Sequence, residues 1–276
     1  NFDSYYDPSL KHKNAKMLEK SGILIHRLDL AQDPLEGVLE GVEVVINLAA
    51  QPGNDASTTY FSYTKNNFHA AVALTESIKA LENKPKLIHI STSSVYGLNA
   101  KGDETTLPAP VSPYGVTKVA AETAVLSAMR RKELEAVVLR LFSVYGERER
   151  PDKLFPRLFS ALKHGTEFPL FEGSRTHQRS YSYVGDIVEG ILLAVKNFEK
   201  AKGEVFNIGT NLCFTTGEAI DLAQAISGKT LKIKNLPPRP GDQAATHAQI
   251  AKATTLLGYN PKVTLREGLE RVNAWA

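Results

Sequence analysis

The chain has 276 residues, of which 42% are apolar and 23% charged, the balance of an ordinary globular protein. Its net charge of +3 is scattered over several segments, which argues against a nucleic-acid binder, and no apolar run approaches the ~18 residues of a membrane span. A single cysteine, Cys213, excludes an internal disulfide framework and makes a reducing, cytoplasmic setting the default.

Residues 1–7 lack the basic and apolar stretches of a signal peptide and begin without Met, so the sequence reads as entered in its middle. From there short β-branched runs alternate with longer amphipathic ones, the pattern of a parallel sheet wrapped by helices. Ile23 to Leu28 reads as a strand, and residues 42–49 (VEVVINLA) as a strand buried on both faces. Tyr63 to Leu81 reads as a helix, Lys86 to Ser91 as the next strand, Pro113 to Arg131 as a long helix and Ala136 to Leu141 as a further strand. Beyond Gly146 Pro and Gly become frequent and strands thin out. Val184 to Asn197, Thr216 to Ile226, Ala248 to Leu257 and Leu265 to Trp275 read there as helices, and Glu204 to Ile208 as a strand. The expected fold is α/β, a doubly wound parallel sheet with a smaller C-terminal lobe interleaved with returns to that sheet. None of the seven histidines makes a metal-ligand spacing with another or with Cys213, and His89, inside a strand, reads as a satisfied core histidine.

The most informative spacing is Tyr114-Gly115-Val116-Thr117-Lys118, which puts a phenol and an ammonium on one helix face. A nearby ammonium favours the phenolate and makes a better general base. Composition alone makes such a pair ordinary; its context does not. The helix opens after Pro113, downstream of a strand ending in Ser91-Thr92-Ser93-Ser94-Val95-Tyr96-Gly97, and the C-terminal ends of parallel strands are where α/β sheets bind ligands. Ser91 reads as turn chemistry and Thr92 as a site residue.

A strand ending in S/T-x-x-V-Y-G followed by Y-x-x-x-K resembles the extended short-chain dehydrogenases/reductases that act on nucleotide sugars. Further segments match in order along essentially the whole chain. Asn47-Leu48-Ala49-Ala50-Gln51 resembles the family's cofactor-facing N/H-L-A-A, Asp29-Leu30 its adenine contact, and Asn67 its cofactor-contacting Asn. Residues 140–146 (RLFSVYG), 179–186 (RSYSYVGD), 239–242 (RPGD) and 257–261 (LGYNP) match later family segments. The resemblance implies a Rossmann-type NAD domain over residues 1–146 and a nucleotide-sugar lobe over 147–276. It implies a catalytic trio of Thr92, Tyr114 and Lys118, with Lys118 lowering the Tyr114 pKa and holding the nicotinamide ribose. It places Asn1, Asp29, Leu30, Leu48, Ala49, Ala50, Gln51, Asn67 and Phe142, with Tyr114 and Lys118, on NAD. It places Thr92, Ser93, Ser94, Ser143, Arg150, Arg179 and Arg239 on a UDP-sugar, the last two at its diphosphate. Arg suits forked contacts to phosphate oxygens. The resemblance also implies a homodimer.

The family's G-x-x-G-x-x-G loop has no counterpart here. In the family, the first strand, that loop, the first helix and the second strand precede the position of Asn1, roughly 30 residues. The expectation is that an upstream segment belongs to the protein, and that the chain from Asn1 neither folds properly nor binds NAD without it. Dehydratases of the family carry Asp-Glu after the catalytic Thr and UDP-glucuronate decarboxylases keep a Glu, whereas this chain has Ser93-Ser94. C4 epimerisation of a UDP-sugar, through a 4-keto intermediate, is therefore the expected activity. Dehydration, decarboxylation or a non-catalytic NAD-sensing scaffold are the competing readings. Residues 5–11 (YYDPSLK) and 95–99 (VYGLN) look most like UDP-glucuronate 4-epimerases, in which Arg150 would meet the sugar carboxylate.

Overall fold

The structure, a computed structural model, describes residues 2–53, 58–238 and 243–275. Asn1 and Arg239, both expected at the ligand sites, lie outside the described residues.

Four parallel strands form the main sheet: β1 (Val44–Asn47), β2 (Lys86–Thr92), β3 (Ala136–Leu141) and β5 (Val205–Ile208), in the order β1-β2-β3-β5. The register pairs Val44 with Lys86, Leu87 with Ala136, and Val138 with Val205. Strand side chains alternate between faces, so the continuous apolar run of β2 feeds two cores at once. Leu87 packs with Leu74, Ile78, Val125 and Val138 on one side, beneath the helices of residues 60–80 and 113–130. Ile88 packs with Leu139, Ile187, Ile191 and Phe206 on the other, beneath the helices of residues 184–196 and 251–257. Here α2 is a rod over residues 60–80, running from Tyr60–Tyr63 through a π-helical turn at Thr64–His69 into Ala70–Ala80. Helix α3 is Pro113–Arg130, α5 is Val184–Lys196 and α7 is Ala251–Leu257. A third core joins α4 (Leu154–His164), β4 (Glu167–Phe171), α6 (Thr216–Ser227), β6 (Lys232–Leu236) and α8 (Leu265–Trp275), through Phe155, Leu158, Phe159, Phe168, Ile220 and Leu269. Strands β4 and β6 pair in parallel outside the main sheet.

Two segments depart from the sequence reading. Pro8–Lys20 is a helix, α1, with Asp7 accepting from the Ser9 amide at 2.9 Å and Pro8 at its first position. Ile23 to Leu28 is not a strand: a strand needs a partner ladder, none of the described residues provides one, and Ile23 and Leu24 are 50% and 77% exposed.

The start of α3 is set by two local devices. Ser112 Oγ accepts from the Gly115 amide at 3.1 Å as the cap, and Pro113 occupies the first turn. Gly115 then lets the helix press onto the end of β2, since a Cβ there would lie 2.8 Å from the Ser94 carbonyl oxygen. That close approach brings Tyr114 to Thr92.

Candidate active site

Thr92 closes β2 at the carboxyl edge of the sheet, and its Oγ1 accepts from the Ser94 amide at 3.2 Å to cap the 3-10 turn Ser93–Tyr96. The Tyr114 hydroxyl lies against the Thr92 side chain, and the Tyr114 ring stands 6.3 Å from that of Tyr63 in α2. One helical turn on, Lys118 is 4% exposed and donates to the Ile90 carbonyl at 2.5 Å. The fold thus brings the three expected residues together around the end of β2.

Their electrostatics differ from expectation. Burial pushes the Tyr114 phenol above its ordinary value, while the nearby Thr92 side chain and the charge of Arg150 pull it down. The Lys118 ammonium is drawn to the Ile90 carbonyl, and burial lowers its pKa to about 8 against the opposing charge of Glu122. In this arrangement the cation that favours the Tyr114 phenolate is Arg150.

The residues expected on the dinucleotide fall into two groups. At the carboxyl end of β1, Leu48 is 61% exposed, Ala49 is exposed and Ala50 half-buried, while the Gln51 amide nitrogen Nε2 is buried without a partner among the described residues. Asn67, Asp29, Leu30 and Phe142 make contacts within the fold. The Asn67 amide holds the Gln51 main chain on both sides, at 2.7 and 3.2 Å, and donates to Thr117 Oγ1 at 3.0 Å. It braces the loop after β1 against α3. Asp29 accepts from Lys65 Nζ at 2.9 Å, Gln32 Nε2 at 2.7 Å and the Ala31 amide at 3.0 Å, and the Lys65 contact is the chief reason its pKa falls to about 2. Leu30 packs on the core beneath α2. Phe142 is fully buried beside Tyr96 in the core under α5, so its side chain is closed to any ligand.

A cavity of about 940 Å³ opens beside Tyr63 and Pro113, the neighbours of Tyr114. Ser143, Arg150 and Arg179 line it, as expected of substrate residues. Ser143 has φ +31, a left-handed conformation that a serine adopts at a cost. Arg150 Nη2 binds Asp152 at 3.1 Å, its guanidinium lies 5.1 Å over the Tyr5 ring, and its Nη1 is buried without a partner among the described residues. Ser93 and Ser94 do not line this cavity. Ser93 is 5% exposed, and Ser94 accepts from Thr92 Oγ1 at 3.3 Å.

Tyr5, Glu149, Lys153 and Arg157 also line the cavity, and none was expected there. The run Glu147-Arg148-Glu149-Arg150 has the look of a solvated turn, and only tertiary structure buries part of it. Ser91 is not a turn residue: its Oγ donates to Glu122 at 2.9 Å. His89 is only half satisfied. Its Nδ1 meets Asn47 Nδ2 at 3.4 Å, Nε2 has no partner among the described residues, and burial holds the ring neutral. No cluster of metal-ligating side chains is present among the described residues.

A dinucleotide fits the open half of this edge. The strand ends β1 and β2, the exposed Leu48-Ala49 lip, the Gln51 Nε2 without a partner among the described residues and the Lys118 ammonium on β2 lie at the sheet edge where a doubly wound sheet binds one.

Comparison with known proteins agrees with this geometry. The chain is 33% identical over 309 residues to UDP-glucuronate 4-epimerase 4 of Arabidopsis thaliana, covering 100% of this chain and 68% of that protein. It is 36% identical over 266 residues to YtcB of Bacillus subtilis, named an uncharacterized UDP-glucose epimerase, covering 95% of this chain and 83% of that one. The crystal structure of UDP-glucuronic acid 4-epimerase from Bacillus cereus, in complex with UDP-glucuronic acid and NAD, superposes with a TM-score of 0.92 at 36% identity, covering 97% of this chain and 86% of that one. Residues 6–209 match the model of the NAD dependent epimerase/dehydratase family, and the chain belongs to that family.

Proposed function

We propose that the protein interconverts UDP-sugars epimeric at C4, through a 4-keto intermediate, with NAD as its resident cofactor. The observation that carries this is the Tyr114 phenol, set against Thr92 and under the charge of Arg150, beside a cavity roomy enough for a nucleotide sugar.

Tyr114 takes the proton of the C4 hydroxyl and later returns it to the C4 oxygen. Thr92 holds that oxygen in line, and Arg150 offsets the burial that disfavours the phenolate. Lys118, Leu48, Ala49, Ala50 and Gln51 hold the dinucleotide, which when bound supplies the acceptor and donor of the C4 hydride. No carboxylic acid follows Thr92, so nothing at Ser93 and Ser94 assists loss of water. Ser143 and Arg150 bear on the sugar, and Arg179 with Arg239 on the diphosphate. Residues 1–146 serve the dinucleotide and 147–276 the nucleotide sugar, with β5 returning to the first unit's sheet. A cytoplasmic homodimer through α2 and α3 completes the reading. Tyr60, Phe61 and Val116 leave apolar surface exposed on those helices, and no helix of the described residues is long and apolar enough to cross a membrane.

The test is turnover. Full-length protein incubated with UDP-glucuronate, UDP-glucose and UDP-N-acetylglucosamine in turn, with products resolved by ion-pair chromatography, should convert at least one into its C4 epimer without accumulating NADH. Release of CO₂, a 4-keto-6-deoxy product or no conversion at all would contradict it.

A further inference from the structure

Two carboxyl groups line the cavity outside the proposed chemistry: Asp152, which is paired with Arg150, and Glu149. Glu149 lines it beside Arg150, and its Oε2 is buried with no hydrogen-bond partner among the described residues. Arg150 Nη1 is in the same condition. Consecutive residues therefore present a carboxyl oxygen and a guanidinium nitrogen that the fold buries and leaves unmatched. Buried polar groups in native proteins find partners, and an unmatched pair on two residues that line a cavity points to a ligand. The wall in question is the reacting end. Arg150 bears on the Tyr114 phenol, and its Nη2 lies 3.5 Å from where a Cβ on Gly53 would stand, next to Tyr5.

We propose that Glu149 is a specificity-determining residue of the sugar site: in its neutral form it donates a hydrogen bond to a sugar carboxylate held by Arg150, and in its charged form it repels that carboxylate. Uronate sugars then bind only while Glu149 keeps its proton, whereas uncharged hexoses bind in either state. The inference deepens the nucleotide-sugar reading above and rests on it.

The surroundings support a carboxyl that is neutral under ordinary conditions. Burial raises its pKa to about 8, against the opposing charges of Lys153 and Arg150 and with the help of Asp152. The phenols of Tyr5, Tyr63 and Tyr145 and the side chains of Arg157, His177 and Arg179 stand around the same cavity. A bound carboxylate raises the Glu149 pKa further, because like charges oppose one another. Uronate affinity is therefore full below that value and falls as pH rises through it, by roughly tenfold per pH unit for one linked proton.

The experiment measures dissociation constants of UDP-glucuronate and UDP-glucose by calorimetry across roughly pH 6 to 9.5. It uses full-length holoenzyme carrying Tyr114→Phe, which removes both turnover and the Tyr114 titration. The expected result is a UDP-glucuronate affinity that collapses above about pH 8 while UDP-glucose stays flat. Glu149→Gln, a permanent donor of the same shape, should bind UDP-glucuronate at every pH as the parent does at low pH. A flat UDP-glucuronate profile in the parent, or a slope that survives Glu149→Gln, would overturn the assignment and leave the epimerase reading standing. Failure of both UDP-sugars to bind at any pH would instead sink the nucleotide-sugar reading, and this inference with it.

Discussion

Arg140 and Arg150 sit on either side of the turn that ends β3, and each has a glutamate for company. Arg140 is closed in. Its Nε and Nη2 hold Glu122, and its Nη1 donates at 2.8 Å to Tyr96, whose hydroxyl donates at 2.8 Å to Asn207. Glu122 also accepts from Ser91, and both side chains of the ion pair are 5% exposed. Arg150 is left open: its Nη2 rests on Asp152, while its Nη1 and the Oε2 of Glu149 beside it have no partner among the described residues. The same two residue types serve opposite ends. Where every donor and acceptor is satisfied the cluster ties β2, β3, β5 and α3 into one body. Where they are left unmatched on residues that line a cavity, a ligand can complete them.

The comparison makes ordered predictions. The largest effect belongs to the open side. Tyr114→Phe should lower kcat by about 10²–10⁴-fold, the range of a lost general base, with an unchanged melting temperature. On the closed side, Glu122→Ala strands a buried guanidinium and should cost about 3–5 kcal/mol in denaturant unfolding. Arg150→Ala should lower kcat/KM by roughly 10- to 100-fold, through weaker sugar binding and a less favoured Tyr114 phenolate, with little change in melting temperature. If Arg150→Ala unfolds the protein as Glu122→Ala does, the distinction between the two arginines is broken.

The smallest effect concerns Asp29. Its folded pKa of about 2 lies below its unfolded value, so the Lys65 pairing stabilises the fold at neutral pH and that contribution is lost as pH falls through the folded pKa. Asp29→Asn should cost no more than about 1 kcal/mol near neutrality, because the pair is partly exposed. The melting difference between the two proteins should close as pH approaches about 2. A constant difference down to that pH would show that the pairing is not the cause.

Much of this fold is visible in the sequence where one period dominates. The β-branched run Ala136–Leu141 and the amphipathic run Leu265–Trp275 are found at those bounds, because burial on defined faces leaves a regular trace. Helix α1 leaves little trace, since Ala15 is its one buried residue and capping rather than patterning forms it. Ile23 to Leu28 has the right composition for a strand, but composition does not supply a ladder partner. At the site, Tyr114 and Thr92 are legible because a strand end and a capped helix start are both local signals. The partner of Lys118 is not, because it is a main-chain carbonyl that any residue would provide. Nor is the burial of Glu149, which depends on α4 and the turn after β3 closing over one cavity.

The central claim is that one hydrogen leaves C4 and comes back to the same carbon while Tyr114 handles the oxygen's proton. A UDP-sugar deuterated at C4, followed by proton NMR during conversion in ordinary water, tests it most directly. The account predicts that the epimer keeps its deuterium at C4 and that Tyr114→Phe forms no epimer. Epimer carrying solvent hydrogen at C4 would contradict it.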